Sequence, residues 1–158
     1  MKRSWLLAVL CLALTAWPVM AEETEEASSL VEEARTLIEA EDYEAAVPIL
    51  QKAADMGDAV GQNMLGNCLD QDYEKAFQLF QMSAEQGFPA AMFAYGDCCY
   101  LGNGVEQNLE TAARWYQKAL DAGYEPDDED RKHLKEVLGE NAAAQTEMET
   151  EQESTLEG

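Results

Sequence analysis

The sequence predicts an all-α fold, a short array of antiparallel helix pairs, and three observations carry that prediction. The segments "DYEAAVPILQKAADMG" (42–57), "DYEKAFQLFQMSAEQG" (72–87) and "NLETAARWYQKALDAG" (108–123) align without a gap. Each opens on a residue suited to cap a helix N-terminus, Asp42, Asp72 or Asn108, and closes on Gly57, Gly87 or Gly123. Between them, "DAVGQNMLGNCL" (58–69) aligns with "PAAMFAYGDCCY" (89–100) when Gly66 is set on Gly96. Self-similarity of this kind outranks other sequence signals, because each repeat buries its apolar face only against its neighbours.

The elements follow in order. Residues 1–21 read as a secretory signal peptide. Lys2 and Arg3 form its positive end, Leu6 to Val19 is apolar apart from Thr15, and Val19-Met20-Ala21 supplies the small residues of a cleavage site after Ala21. The apolar run is shorter than the ~20 residues of a spanning helix. Glu22 to Ala27 should be loose. "SSLVEEARTLIEA" then reads as a helix capped by Ser28 or Ser29, with Leu30, Ala34, Leu37 and Ile38 as its stripe. Pro48 falls inside the next helical pattern and should bend that helix or displace its start.

In the partner segments, Gly61 and Ala91, then Gly66 and Gly96, put small residues where helices approach closely, and Leu65 and Tyr95 supply apolar bulk. The second unit carries a full "YLGNGVEQ" loop where the first is trimmed to "DQ". Gly102 and Gly104 suit the turns of that loop and need no catalytic explanation. Beyond Gly123, residues 126–144 read as a capping helix: Pro126 to Asp130 suit a helix N-terminus, and Leu134, Val137 and Leu138 form an apolar patch. Residues 145–158, "QTEMETEQESTLEG", should be a disordered acidic tail. The array itself spans about 28–123, in units of about 28–57, 58–87 and 88–123.

Charge narrows the partners. The chain has 10 basic and 32 acidic residues and a net charge of −22. Loss of the leader removes Lys2 and Arg3 and no acid, so the net charge becomes −24. Such a field repels nucleic-acid backbones and anionic membrane surfaces, and its first use is solubility. Cleavage also removes Cys11 and leaves Cys68, Cys98 and Cys99, an odd number that fits no disulfide framework. Buried thiols acting as small apolar residues are expected.

The units resemble the Sel-one-like repeat, a relative of the tetratricopeptide repeat. The second unit carries the likeness in Ala91, Gly96, Gly102-Asn103-Gly104-Val105, Ala112, Trp115-Tyr116-Gln117-Lys118-Ala119 and Gly123. The first carries it in Leu65-Gly66, Asp72, Lys75-Ala76 and Gly87, without the glycine loop. The pattern departs at Tyr95, where leucine is usual, and at Cys99, where tyrosine is usual. The resemblance implies a short right-handed α/α solenoid with a C-terminal capping helix, acting as an adaptor or scaffold for protein partners without chemistry. Cysteine-rich members bridge the two helices of a unit; the second helices here have no cysteine to do so.

The remaining motifs have structural explanations. Trp115 and Tyr116 should pack between helices, and Met56, Met64, Met82 and Met92 should fill core gaps. The acids 127–130 lack the glycine and closing glutamate of a calcium loop, so no metal site is read there. A single histidine, His133 in "DRKHLKE", supports neither a Ser-His-Asp triad nor a His-ligated zinc. No catalytic residue and no cofactor is expected. Candidate partner contacts are Gln62, Asn63, Asn67, Met92, Phe93, Asp97 and Tyr100, at positions the repeat does not need for packing and expected on a concave face. Phe93 and Tyr100 lead as aromatic anchors, with packing under the terminal helix as the equal alternative. The function expected is a monomeric, exported bacterial adaptor, periplasmic or secreted, with a protein partner. The alternatives are a thiol-redox or holdase factor using Cys98 and Cys99, and a cell-wall or β-lactam-related hydrolase; a Cys68–Cys98 or Cys68–Cys99 disulfide is the lesser alternative to free thiols.

Overall fold

The computed structural model describes residues 23–69 and 71–139. Residues 1–21, expected as a leader, and 145–158, expected as a disordered acidic tail, lie outside them. Seven helices occur among the described residues, and no strand: α1 over 23–39, α2 Tyr43–Asp55, α3 Ala59–Cys68, α4 Tyr73–Glu85, α5 Pro89–Leu101, α6 Leu109–Asp121 and α7 over 128–139. They divide into two compact units, one ending at Cys68 and one starting at Leu69.

In the first unit α3 packs on α2. The contact is close because Gly61 has no side chain; a Cβ there would stand 2.8 Å from the Cβ of Ala53. Ala46, Leu50, Ala53 and Leu65 are fully buried in this unit. Over residues 23–27, α1 corrects the expectation that 22–27 is loose. The helix already includes residue 23, Ala27 is buried, and the Ser28 hydroxyl donates to the carbonyl of Thr24, so neither serine begins the helix. The cause is visible in the spacing: Ala27, Val31 and Ala34 are buried on one helical stripe, and the acids before them favour the N-terminal dipole. α2 also starts at Tyr43 and runs through Pro48, so the proline does not displace its start.

In the second unit α5 lies against both α4 and α6. One aromatic row crosses the three helices: Phe77 stacks on Tyr95 at 4.9 Å, and Tyr95 meets Trp115 edge-on at 4.9 Å. A second core cluster holds Phe93, Cys99, Tyr116, Leu134 and Val137, which brings α7 onto α5 and α6. Gly104 sits so close to the backbone of Tyr73 and Glu74 that a side chain there would clash, which ties the glycine loop to the start of α4.

The repeat chemistry appears at the helix ends. Asp42, Asp72 and Asn108 each accept a hydrogen bond from a backbone N–H three residues on, at 3.1, 3.2 and 2.8 Å. Gly57, Gly87 and Gly123 take left-handed conformations, with φ of 84°, 91° and 92°. At each, the glycine N–H and the following N–H reach back to carbonyls three and five residues earlier, the Schellman arrangement. Glu41 closes α1 by the same bonds, with φ 60° on a residue that carries a side chain. Two methionines depart from the expected core role, since Met56 and Met82 are 38% and 49% exposed.

Candidate functional site

A concavity of the second unit lies between α5 and α7. It is a cleft of about 390 Å³ lined by Phe93, Asp97 and Leu101 from α5 and by Glu129, Asp130, Lys132, His133 and Glu136 from α7. Each wall follows from local sequence. Phe93, Asp97 and Leu101 recur every four residues and so share one face of α5. α7 begins at a capping box: the Asp127 carboxylate accepts from the N–H groups of Glu129 and Asp130 at 2.9 Å, and the Asp130 carboxylate accepts from the N–H of Asp127. The run 127–130 is thus a helix start, as its composition implied.

A hydrogen-bonded cluster forms the inner end of the cleft. The Tyr116 hydroxyl donates to Asp97 Oδ1 at 2.7 Å and lies 2.9 Å from His133 Nε2. Because that hydroxyl spends its proton on Asp97, the network assigns the Nε2 proton of the imidazole to the tyrosine oxygen. His133 Nε2 is also 3.6 Å from Asp97 Oδ1, and the Tyr100 ring meets the imidazole edge-on at 4.6 Å. Tyr124 donates to Asp130 Oδ2 at 2.8 Å. The Asp97 carboxyl is raised above its ordinary value, chiefly by burial, with the Tyr116 hydrogen bond and His133 opposing and Asp130 adding to the rise. Burial and the bond to Asp97 push the Tyr116 phenol upward too. The Asp97–Tyr116–His133 bonds therefore join α5, α6 and α7.

The candidate contacts fall into two sets. Gln62, Asn63 and Asn67 belong to α3, and Met92, Phe93, Asp97 and Tyr100 to α5. Asn67 is exposed, while Met92, Asp97 and Tyr100 are half-buried. Two expectations need correction, and for Phe93 the packing alternative holds. Gln62 is buried, with its amide 3.4 Å from the carbonyl of Ala54. Asn63 is buried as well, and its Oδ1 has no hydrogen-bond partner. Phe93 is 6% exposed, since its ring packs on Tyr116 at 5.0 Å and on Tyr124 at 4.6 Å. It forms the floor of the cleft, not a protruding anchor. Sequence reading missed His133, which looked stranded among charges. The signal was its spacing: His133 lies three residues after Asp130 and four before Val137, on the stripe that faces α5 and α6.

Trp115 and Tyr116 are packing residues. Tyr116 is fully buried, and Trp115 lies against Tyr95 with the Lys118 ammonium 3.9 Å from its ring centre. Cys98 and Cys99 are buried, and no disulfide occurs among the described residues. Burial, helped by the Asp97 charge, pushes the Cys98 thiol up to about 11, and burial raises Cys99 as well. Such thiols are poor nucleophiles at neutral pH. No group of three or more His, Cys, Asp or Glu side chains suited to a metal occurs among the described residues, nor any helix long and apolar enough to cross a membrane.

Three consecutive stretches, 37–58, 59–88 and 89–124, match the family model for the Sel1 repeat. The chain belongs to the Sel1 repeat family. Sel1 repeat proteins generally mediate protein–protein interaction, and the family is typically a non-catalytic scaffold. The fold is shared with a Sel1 repeat protein from Oxalobacter formigenes, at 22% identity and a TM-score of 0.57 over 73% of this chain and 57% of that one. It is shared also with a protective antigen of uropathogenic Escherichia coli that displays an SLR fold, at 21% identity and a TM-score of 0.56 over 78% of this chain. The Sel1 chain described here spans 57% and 31% of the lengths of those two proteins. Comparison with curated proteins finds no match.

Proposed function

We propose that this Sel1 repeat chain is an exported bacterial adaptor that captures a protein partner at the cleft between α5 and α7, in the cell envelope or outside the cell. The observation that carries the proposal is the cleft itself. Its floor is the Phe93 ring, its mouth holds Leu101, which is 59% exposed, and its rim holds Asp97, Glu129, Asp130 and Glu136 against Lys132. Apolar floor and charged rim together fit a protein segment better than a small apolar molecule. The Lys2–Arg3 leader and the Val19-Met20-Ala21 site support export. Buried Cys98 and Cys99, with thiols held protonated, weigh against the thiol-redox alternative.

The test is affinity capture from native envelope extract with residues 22–158 as bait, beside a Leu101→Arg/Glu136→Lys bait of matching circular dichroism. A partner retained by the first bait and lost by the second is the expected result. Partners retained equally by both would overturn the cleft assignment; no partner on either would overturn the adaptor reading. Recovery of an exported product that begins at Glu22 tests the leader separately.

A further inference from the structure

We infer that the cleft between α5 and α7 takes a basic segment of its partner, in which arginine stems lie on Phe93 and Leu101 and guanidinium groups meet the carboxylates of Glu129 and Glu136. That a protein partner enters here rests on the adaptor reading; the charge of the entering segment is the new element. Phe93, Asp97 and Leu101 line the α5 side, and Glu129, Lys132 and Glu136 lie on one exposed face of α7. Four carboxylates line the cleft, counting Asp97 and Asp130, with Lys132 the one lysine or arginine there. Two of the four are engaged, since Asp97 accepts from Tyr116 and Asp130 from Tyr124. The carboxylates of Glu129 and Glu136 make no hydrogen bond or ion pair among the described residues, although Lys132 stands three and four positions away on the same helix. Their acceptor capacity is open to a donor from outside.

Charge selects among the occupants. A second copy of this chain carries the same net charge of −22 and is repelled. The chain's own residues 145–158 hold five glutamates and no lysine or arginine, so the rim repels them as well. A partner segment of opposite sign is the occupant that the rim attracts. The apolar part of the cleft narrows the choice further. A small cation would leave Phe93 and the exposed Leu101 uncovered. Arginine meets both demands, with an apolar stem and a planar head that pairs with a carboxylate through two hydrogen bonds. A cleft of about 390 Å³ is at the small end of binding pockets, so a few side chains of a short segment enter it, not a folded surface.

The experiment titrates the full chain, isotopically labelled, with a short peptide holding two arginines around a leucine, and follows amide chemical shifts at about 0.1 M salt. Matched peptides carry citrulline or glutamate in place of arginine. The arginine peptide is expected to shift the amides of Asp97, Leu101, Glu129 and Glu136, and the glutamate peptide to shift none of them. Each exposed ion pair is worth up to about fivefold, so citrulline should bind about threefold to twentyfold more weakly than arginine. Glu129→Gln/Glu136→Gln should weaken the arginine peptide by the same factor. Glu74→Gln/Glu106→Gln removes equal charge outside the cleft, and screening should hold its effect under about twofold. Equal binding of the citrulline peptide, equal losses in the two variants, shifts that gather at residues 145–158 instead of the cleft, or no binding at all each overturn the assignment. A partner captured from envelope extract and held equally by Glu129→Gln/Glu136→Gln would leave the adaptor reading standing and strike the basic segment from it. With the peptide seated in the cleft and no partner captured, the basic site stands and the adaptor reading falls.

Discussion

Replacing Gly96 with alanine tests how α5 and α6 are fitted together. A methyl group at that position would stand 2.7 and 2.8 Å from two carbons of the Tyr116 ring and 3.4 Å from the Ala112 carbonyl. An exposed ring would swing aside at little cost. Tyr116 is fully buried and held at its far end by Asp97 and His133, so ring and methyl compete for one space. Overpacking of this kind costs about 1–3 kcal/mol. If the ring moves, its two hydrogen bonds weaken as well, at about 1 kcal/mol each. Against this, alanine is better than glycine in a helix interior by about 1 kcal/mol. With both bonds weakened the net expectation is a loss of about 2–4 kcal/mol, or roughly 4–16 °C in Tm for a chain of this length. Urea unfolding followed by far-ultraviolet circular dichroism measures it. The same change in a Tyr116→Leu background removes the obstacle, and there Gly96→Ala should be close to neutral. Equal or greater stability of Gly96→Ala in the parent chain would refute the reasoning, as would a penalty that persists unchanged without the ring.

Three further outcomes are expected. Glu41→Gly should raise stability by up to about 1 kcal/mol, because a left-handed backbone costs a side-chain-bearing residue about 1–2 kcal/mol and the looser unfolded chain offsets part of the gain; a lower Tm would show that the Glu41 side chain makes up for the strain. Asn63→Leu should stabilise by about 1 kcal/mol, since it replaces a buried oxygen that lacks a partner with an apolar group of similar size. A loss there would mean that the amide is satisfied in solution. Cys98, pushed up to about 11, contributes stability fully below its ordinary value of 9.0 and loses it as pH rises through about 11. Cys98→Ala should therefore flatten the alkaline end of the stability profile, and in the folded parent Cys98 should react with a disulfide reagent far more slowly than a denatured control.

What the sequence disclosed depended on the range of the interaction. Asp42, Asp72 and Asn108 act on a backbone N–H three residues away, and Gly57, Gly87 and Gly123 act on their own φ. Both are local rules, so helix ends and repeat register were legible. Gly61 and Gly96 were legible as points of close approach because a repeat places its partner helix at a fixed offset. The Asp97–Tyr116–His133 cluster was not, for it joins residues 17 and 19 positions apart across three helices. Local charge made His133 look solvated, and only the docking of α7 turned it inward. Phe93 stayed open between anchor and packing residue for the same reason: Tyr124 and Tyr116, both beyond the local window, cover its ring. The early start of α1 was hidden by composition, since the run of acids before Ala27 resembles a loose terminus and works as the favourable end of a helix.

The aromatic row of the second unit has an optical consequence. Three tryptophans occur in the sequence, and Trp5 and Trp17 lie in residues 1–21, the proposed leader. In a chain shortened to begin at Glu22, Trp115 is the only one left, set between the Tyr95 edge and the Lys118 ammonium. Its emission reports whether α6 still rests on α5 and is blind to the unit that ends at Cys68. Circular dichroism, in contrast, weighs every helix alike. Melting the same sample by both signals therefore shows whether the two compact units unfold together. Coincident curves would make one cooperative array of them, and a fluorescence transition displaced from the dichroism transition would make them two folding blocks.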